Sequence, residues 1–378
     1  MLQIKSSFVV LLQYILRVFP VNNNKILSLS YNGQGYGDNG KYVCSEIIKH
    51  NKNILIIWPF KKGYRINEHI PNVKAVRYLS LFYFYHLVTS KVWISNLRMA
   101  SFICKRPNQY YIQLWHGMPA LKRIEKDAQD ALPNSYIQAA KHDSQMADLF
   151  ISNSQYWTNF IRNTFWYDGP VLECGTPRID SLINRTADSK QRIKDKLHIT
   201  ADKVVLYAPT FRKDMNLDCY SLDYQNLKHT LETKTGKSWH VCVRLHPNVT
   251  NKGITLPQLE GVTDFSQYPD MYELMEMADL LITDYSSTMF EAGFAGIPVI
   301  LFATDIEKYR KDRNFYFKFE ELPFPVVRSN AALFEKIKNW NTDDYMHALA
   351  KFKDKLGIRE TGTASKQLAE HIIKIMTN

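Results

Sequence analysis

The stretch DLLITDYSSTMFEAGFAGIPVILFATDIEKYRK, residues 279–311, decides the fold. Leu280 to Thr283 reads as a buried strand, Asp284 to Ser287 as a polar turn, Thr288 to Ala295 as a helix opened by hydroxyl residues, and the apolar residues after Pro298 as a second strand. Strand, turn, helix and strand in that order make half of a doubly wound α/β unit. Ligands of such sheets sit outside the carboxyl ends of the strands, where Asp284, Tyr285, Ser286 and Ser287 fall. A phosphate suits that place, because the first turn of a helix leaves N–H groups unpaired at the positive end of its dipole. An ordinary N-cap is the plainer reading of the same hydroxyls.

Outward from this stretch, further strands end in polar residues. Toward the amino terminus, Met271 to Ala278 reads as a helix preceded by the turn Tyr268-Pro269, and Gly261 to Asp264 as a strand. His240 to Leu245 is a strand ending in His246 and Pro247 with Arg244 beside them, and Lys203 to Ala208 one ending in Pro209, Thr210, Phe211 and Arg212. The charged helix Asp188 to Leu197 marks a shift in composition, which places a domain boundary near residues 184–187. Residues 186–378 are then expected to form one domain closed by the carboxyl-terminal helices, and residues 21–185 another.

In that first half, strands are expected at Lys25 to Ser30, Asn53 to Trp58, Val92 to Ser95, Tyr110 to Leu114, Leu149 to Ser152 and Val171 to Cys174. The fourth of these stops at Trp115, His116, Gly117, Met118 and Pro119, so an imidazole stands at a strand end beside a glycine that leaves room and a proline that stiffens the turn. The last runs into Arg178, whose guanidinium is expected to reach a ligand in the cleft. Gly35, Gly37 and Gly40 fit G-x-G-x-x-G, yet no acidic residue ends the second strand to hold a ribose, so they read as a tight turn that brings backbone close to a ligand or to the neighbouring domain.

The chain has 378 residues, which suits two domains, and its 45% apolar and 22% charged content describes a globular protein. Lys and Arg number 48 against 37 Asp and Glu, and the net charge of +11 favours polyanionic partners: nucleic acid, anionic lipid or phosphorylated small molecules. Cys44, Cys104, Cys174, Cys219 and Cys242 are widely spaced, which indicates neither a disulfide framework nor a zinc site and fits a reducing cytoplasm. Residues 1–20 carry an apolar run from Phe8 to Phe19, broken by Gln13 and Arg17 and shorter than a membrane span. A core helix and a helix lying in the membrane interface both fit it.

His116, Thr210, Arg212, Arg244, His246, Ser286 and Ser287 thus gather at predicted strand ends and describe the rim of one cleft. Arginines, hydroxyls and a helix start can neutralise a diphosphate, and either histidine could accept a proton from an attacking hydroxyl. The residues alone describe a two-domain transferase with a nucleotide-linked donor and leave the donor open.

The motifs WHGMP (115–119), GTPRID (175–180), LYAPTFR (206–212), RLHP (244–247), ITDYSSTMFEAG (282–293) and DIEKYRKDRNFYF (305–317) resemble, in order, those of the CDP-glycerol glycerophosphotransferases of teichoic acid synthesis; GDNGKY (37–42) and WISN (93–96) are similar too. The resemblance implies a GT-B-like fold of two Rossmann-like domains facing across a cleft. It implies a peripheral enzyme at the cytoplasmic face of the cell membrane that uses CDP-glycerol and an undecaprenyl diphosphate-linked saccharide acceptor, with an anionic membrane surface and no nucleic acid as partner. Carried onto this chain, it makes His116 the general base and sets His246 on the donor pyrophosphate. The candidate donor contacts are then Trp115, Gly117, Met118, Pro119, Arg178, Pro209, Thr210, Arg212, Arg244, Tyr268, Pro269, Asp284, Ser286, Ser287, Thr288 and Glu291. Glu291 also resembles the glutamate by which many GT-B sugar transferases hold a donor ribose, so a CDP-ribitol or nucleotide-sugar donor is the alternative. The chain shows no D-x-D metal motif and no cofactor is expected. A basic membrane- or polyanion-binding protein that keeps the fold without turnover is the competing non-enzyme reading.

Overall fold

The computed structural model describes residues 2–66, 68–212, 221–245, 259–312 and 314–377. The chain divides into two compact units, the first comprising residues 1–116, 124–180 and 358–378, the second residues 117–123 and 181–357.

The first unit is built on a seven-stranded parallel sheet. Its strands are β1 (Asn22–Leu29), β2 (Leu55–Phe60), β3 (Val73–Arg77), β4 (Ser90–Ser95), β5 (Tyr110–Gln113), β6 (Leu149–Ser152) and β7 (Val171–Glu173), in the order β3-β2-β1-β4-β5-β6-β7. Parallel strands covered on both faces must be apolar throughout, and Ile26, Leu27, Ile56, Ile57, Trp93 and Ile112 are buried accordingly. The order reverses between β1 and β4, where Leu29 pairs with Ser95, so the ligand crevice expected of this topology opens at Tyr31 and Asn96, which follow those strands.

The second unit repeats the plan with β8 (Lys203–Tyr207), β9 (Trp239–Val243), β10 (Val262–Asp264), β11 (Leu280–Thr283), β12 (Val299–Phe302) and β13 (Val326–Val327), in the order β10-β9-β8-β11-β12-β13, all parallel. Val205, Tyr207, Val241, Ile282, Ile300 and Leu333 lie in its core. Here the reversal falls between β8 and β11, so Thr210 and Asp284 stand near the switch point.

Two boundaries differ from the sequence expectation. The terminal helix Ala364–Thr377, expected to close the second domain, belongs to the first unit: Asp180 accepts the Ala364 and Ser365 N–H groups at 3.1 and 2.6 Å, and Leu368, Ala369 and Ile372 are buried. An amphipathic pattern shows that a helix has a face to bury but not which sheet receives it. Residues 117–123 join the second unit, where Lys122 bridges Phe315 and the Leu121 carbonyl accepts from Tyr316 N at 3.0 Å. Of the three glycines, Gly40 lies in the helix Asp38–His50, and a Cβ on it would stand 2.8 Å from Ser28 Oγ of the unit's own sheet.

Helix α1 (Leu2–Leu16) is packed on one face and exposed on the other. Val9, Leu12 and Leu16 pack on the first unit's core, and Gln13 exchanges hydrogen bonds with the backbone of Phe102 and Cys104 at 2.7 and 3.0 Å. Its other face leaves Phe8, Leu11, Tyr14 and Ile15 exposed. No described helix is long and apolar enough to cross a membrane.

Candidate active site

His116 follows β5 by a turn in which Trp115 takes the left-handed conformation, φ 53°. Its Nδ1 lies 2.8 Å from the carbonyl oxygen of Asn96. A carbonyl only accepts, so Nδ1 carries the proton and, in the neutral ring, Nε2 keeps its lone pair. Burial lowers the His116 pKa, and Arg178 adds to that, against the Asn96 carbonyl, Asp38 and Glu125, which raise it. The ring is therefore a neutral imidazole at neutral pH, the state a general base needs. Trp115 packs on it with ring centroids 4.4 Å apart, and Tyr31 meets it edge-on at 6.1 Å.

The Arg178 side chain is held inside the first unit. Its guanidinium is buried, paired with Asp38, and donates from Nη2 to the His116 carbonyl at 2.9 Å. A buried guanidinium is tolerated only with a hydrogen-bonded counter-charge, and Asp38 supplies it from the start of α2 (Asp38–His50). Asp38 also accepts the Tyr31 hydroxyl at 2.6 Å. Burial opposes its charge, but Arg178 and these hydrogen bonds outweigh that and hold its carboxyl below the ordinary range.

In the second unit, Asp284 at the end of β11 accepts the Thr210 N–H at 2.8 Å and also bonds the Thr210 hydroxyl. Arg212 donates to Asp284 at 2.8 Å, to Asp305 at 2.7 and 3.0 Å, and to the Thr210 carbonyl at 2.8 Å. Its guanidinium also lies 4.7 and 5.1 Å from the rings of Tyr285 and Tyr309, which stack on each other. Arg212 thus knits the β8 and β11 ends together. Arg244, half-buried, donates to the Tyr268 carbonyl at 2.7 Å.

Ser286, Ser287 and Thr288 remain partly exposed. Ser286 Oγ accepts from Thr288 N and Oγ1 at 3.3 and 2.9 Å, while Ser287 opens the helix Thr288–Phe294 without a side-chain capping bond. The ordinary N-cap reading therefore does not account for Ser287. Gly117 lies against it, and a Cβ there would stand 3.0 Å from Ser287 Oγ. Of the other expected donor contacts, Trp115, Met118, Pro119 and Pro209 are buried, and Glu291 is fully buried with its carboxylate accepting the Tyr272 hydroxyl at 2.5 Å. Pro269 is exposed. His246 lies outside the described residues. Sequence reasoning assigned no role to Asp38, Asn39, Asn96 or Asp305, although GDNGKY and WISN contain three of them.

A family model described as CDP-Glycerol:Poly(glycerophosphate) glycerophosphotransferase matches residues 11–374. The teichoic acid glycerol-phosphate transferase of Staphylococcus aureus is 32% identical over 371 residues, covering 93% of this chain and 94% of that protein. The teichoic acid poly(glycerol phosphate) polymerase of Staphylococcus epidermidis is also 32% identical, across 94% of this chain, which spans about half (51%) of that relative's length. The solved structure of the wall teichoic acid polymerase TagF superposes with a TM-score of 0.85 at 30% identity, covering 98% of this chain and 94% of that one. The fold is therefore GT-B-like, and the chain belongs to the CDP-glycerol:poly(glycerophosphate) glycerophosphotransferase family.

Proposed function

We propose that this chain transfers glycerol phosphate from CDP-glycerol to a hydroxyl of a lipid-linked saccharide acceptor, with His116 as the general base. The acceptor oxygen attacks the glycerol-bearing phosphorus, the bond from that phosphorus to the oxygen bridging it to CMP breaks, and the hydroxyl proton passes to Nε2 of His116. A phosphodiester and CMP result. The observation that carries this reading is the Nδ1–H bond to the Asn96 carbonyl, which fixes the tautomer whose Nε2 can take a proton. Ser286 and Ser287 with the backbone of their turn are the proposed pyrophosphate contacts, and Arg244 a further one. His246 is proposed to stabilise or protonate the departing CMP. Arg178, Arg212 and Asp284 support these groups from behind.

The acceptor is proposed to be presented at the cytoplasmic face of the membrane. The exposed apolar face of α1, with Leu81 and Phe82 of the neighbouring α3 (Leu81–Thr89), supports that reading, because an apolar patch of this kind on a chain of net charge +11 suits anionic lipid.

The test supplies CDP-glycerol, or CDP-ribitol, with undecaprenyl diphosphate-linked disaccharide acceptors and resolves products by mass. The expected outcome is acceptor gaining glycerol phosphate with stoichiometric CMP. Ribitol phosphate transfer with CDP-glycerol inert would overturn the donor assignment.

A further inference from the structure

The turn bearing His116 is wired to the start of α2. Trp115 N donates to Gln113 Oε1 at 3.0 Å, Asn39 Nδ2 donates to the Trp115 carbonyl at 3.1 Å, and Arg178 Nη2 donates to the His116 carbonyl at 2.9 Å. These bonds hold a left-handed backbone at a bulky residue, a conformation that persists only where its surroundings over-determine it. The holders are themselves held. Asn39 Oδ1 accepts from Arg178 N at 3.1 Å, the Arg178 guanidinium rests on Asp38, and Asp38 receives the Tyr31 hydroxyl. Asp38, Asn39 and Arg178 are all buried.

We infer that Asp38 and Asn39 are positioning residues for the transfer reaction: with Arg178 they lock the Trp115–His116 backbone so that the imidazole gives Nδ1–H to Asn96 and Nε2 to the acceptor. The inference rests on the reading of His116 as the base. Both residues act through His116.

The charged groups acting on the ring are Asp38 from α2, Arg178 from the turn after β7 and Glu125 from the 3-10 turn Glu125–Ala131. Asp38 favours the imidazolium and Arg178 opposes it. Removing the Asp38 charge takes away one of the two carboxylates that offset Arg178 at the ring, which makes His116 a weaker base and moves the acid limb of kcat/KM to lower pH.

The experiment measures CMP release by the full chain, with CDP-glycerol and a lipid-linked acceptor, from pH 5 to 9 for wild type, Asp38→Asn, Asp38→Glu and His116→Ala. Asp38→Asn is expected to lower kcat by about 10- to 100-fold, to leave KM for CDP-glycerol within about 2-fold, and to shift the acid limb downward; Asp38→Glu recovers part of the rate. A purely structural role would lower the amount of active protein without moving the limb. Where Asp38→Asn does not fold, the double variant Asp38→Asn/Arg178→Gln, which strands no charge, is judged by kcat, and a wild-type kcat there overturns the inference. An inactive His116→Ala beside an Asp38→Asn with unchanged kcat and limb overturns the positioning role alone. An active His116→Ala overturns the assignment of the base, and the positioning role with it.

Discussion

Arg212 sits with its guanidinium between Asp284 and Asp305 and against two tyrosine rings, so replacing it strands two carboxylates, one after β11 and one after β12. Arg212→Met is expected to cost about 3–5 kcal/mol, read from the urea midpoint, because a buried pair broken on one side leaves an uncompensated charge. Burial pushes the Asp305 carboxyl up, but its hydrogen bonds and charge contact with Arg212 outweigh that and hold it below the ordinary value. A depressed carboxylate stabilises above its unfolded pKa, about 3.9, and loses that contribution as pH falls through the folded value. Asp305→Asn should therefore unfold less steeply with acid than wild type, which an acid titration followed by circular dichroism checks. The motif LYAPTFR placed Arg212 at a strand end, and WHGMP did the same for His116. That Arg212 and Arg178 turn inward was not legible, because Asp305 and Asp38 are distant in sequence and no local pattern pairs them.

Helix α1 presents an exposed apolar face while its opposite side is tied to the first unit through Val9, Leu12, Gln13 and Leu16. Ile15→Glu with Phe82→Glu is expected to reduce binding to anionic vesicles at least about 10-fold in a flotation assay, without lowering the melting temperature, since both side chains are more than half exposed. The segment leading into the terminal helix carries another testable group. Glu360 accepts from Asn153 at 2.9 Å and from Thr176 at 2.9 and 2.6 Å, and burial pushes its carboxyl up to about 7. The folded protein then holds a proton that the unfolded chain releases near pH 4.5, so stability contributed by this group falls as pH rises from about 4.5 to 7. Glu360→Gln should flatten that part of the stability profile, measured by urea unfolding at several pH values. Among elements, the apolar runs of β1, β4, β8 and β11 were plain in the sequence. β3 and β13 were not, because VKAVR is largely exposed at the sheet edge and Val326–Val327 is too short to show a pattern.

For the whole molecule, two parallel sheets with one order reversal each account for where the motifs fall: Tyr31 and Asn96 near one switch point, Thr210 and Asp284 near the other. The strand sequence made two α/β domains legible, whereas the return of residues 358–378 to the first unit depends on the Asp180 cap and on contacts with α2 that no local signal encodes. A donor that binds only the folded chain should raise its stability by about 2.7 kcal/mol at a concentration 100 times Kd, and His116→Ala should keep that gain. The measurement that bears most directly on the mechanism is CMP release in a single turnover by His116→Ala, with CDP-glycerol affinity measured by calorimetry on the same protein. The predicted result is a loss of at least about 100-fold in rate with Kd within about 3-fold of wild type. Turnover near the wild-type rate would contradict the assignment of His116 as the base.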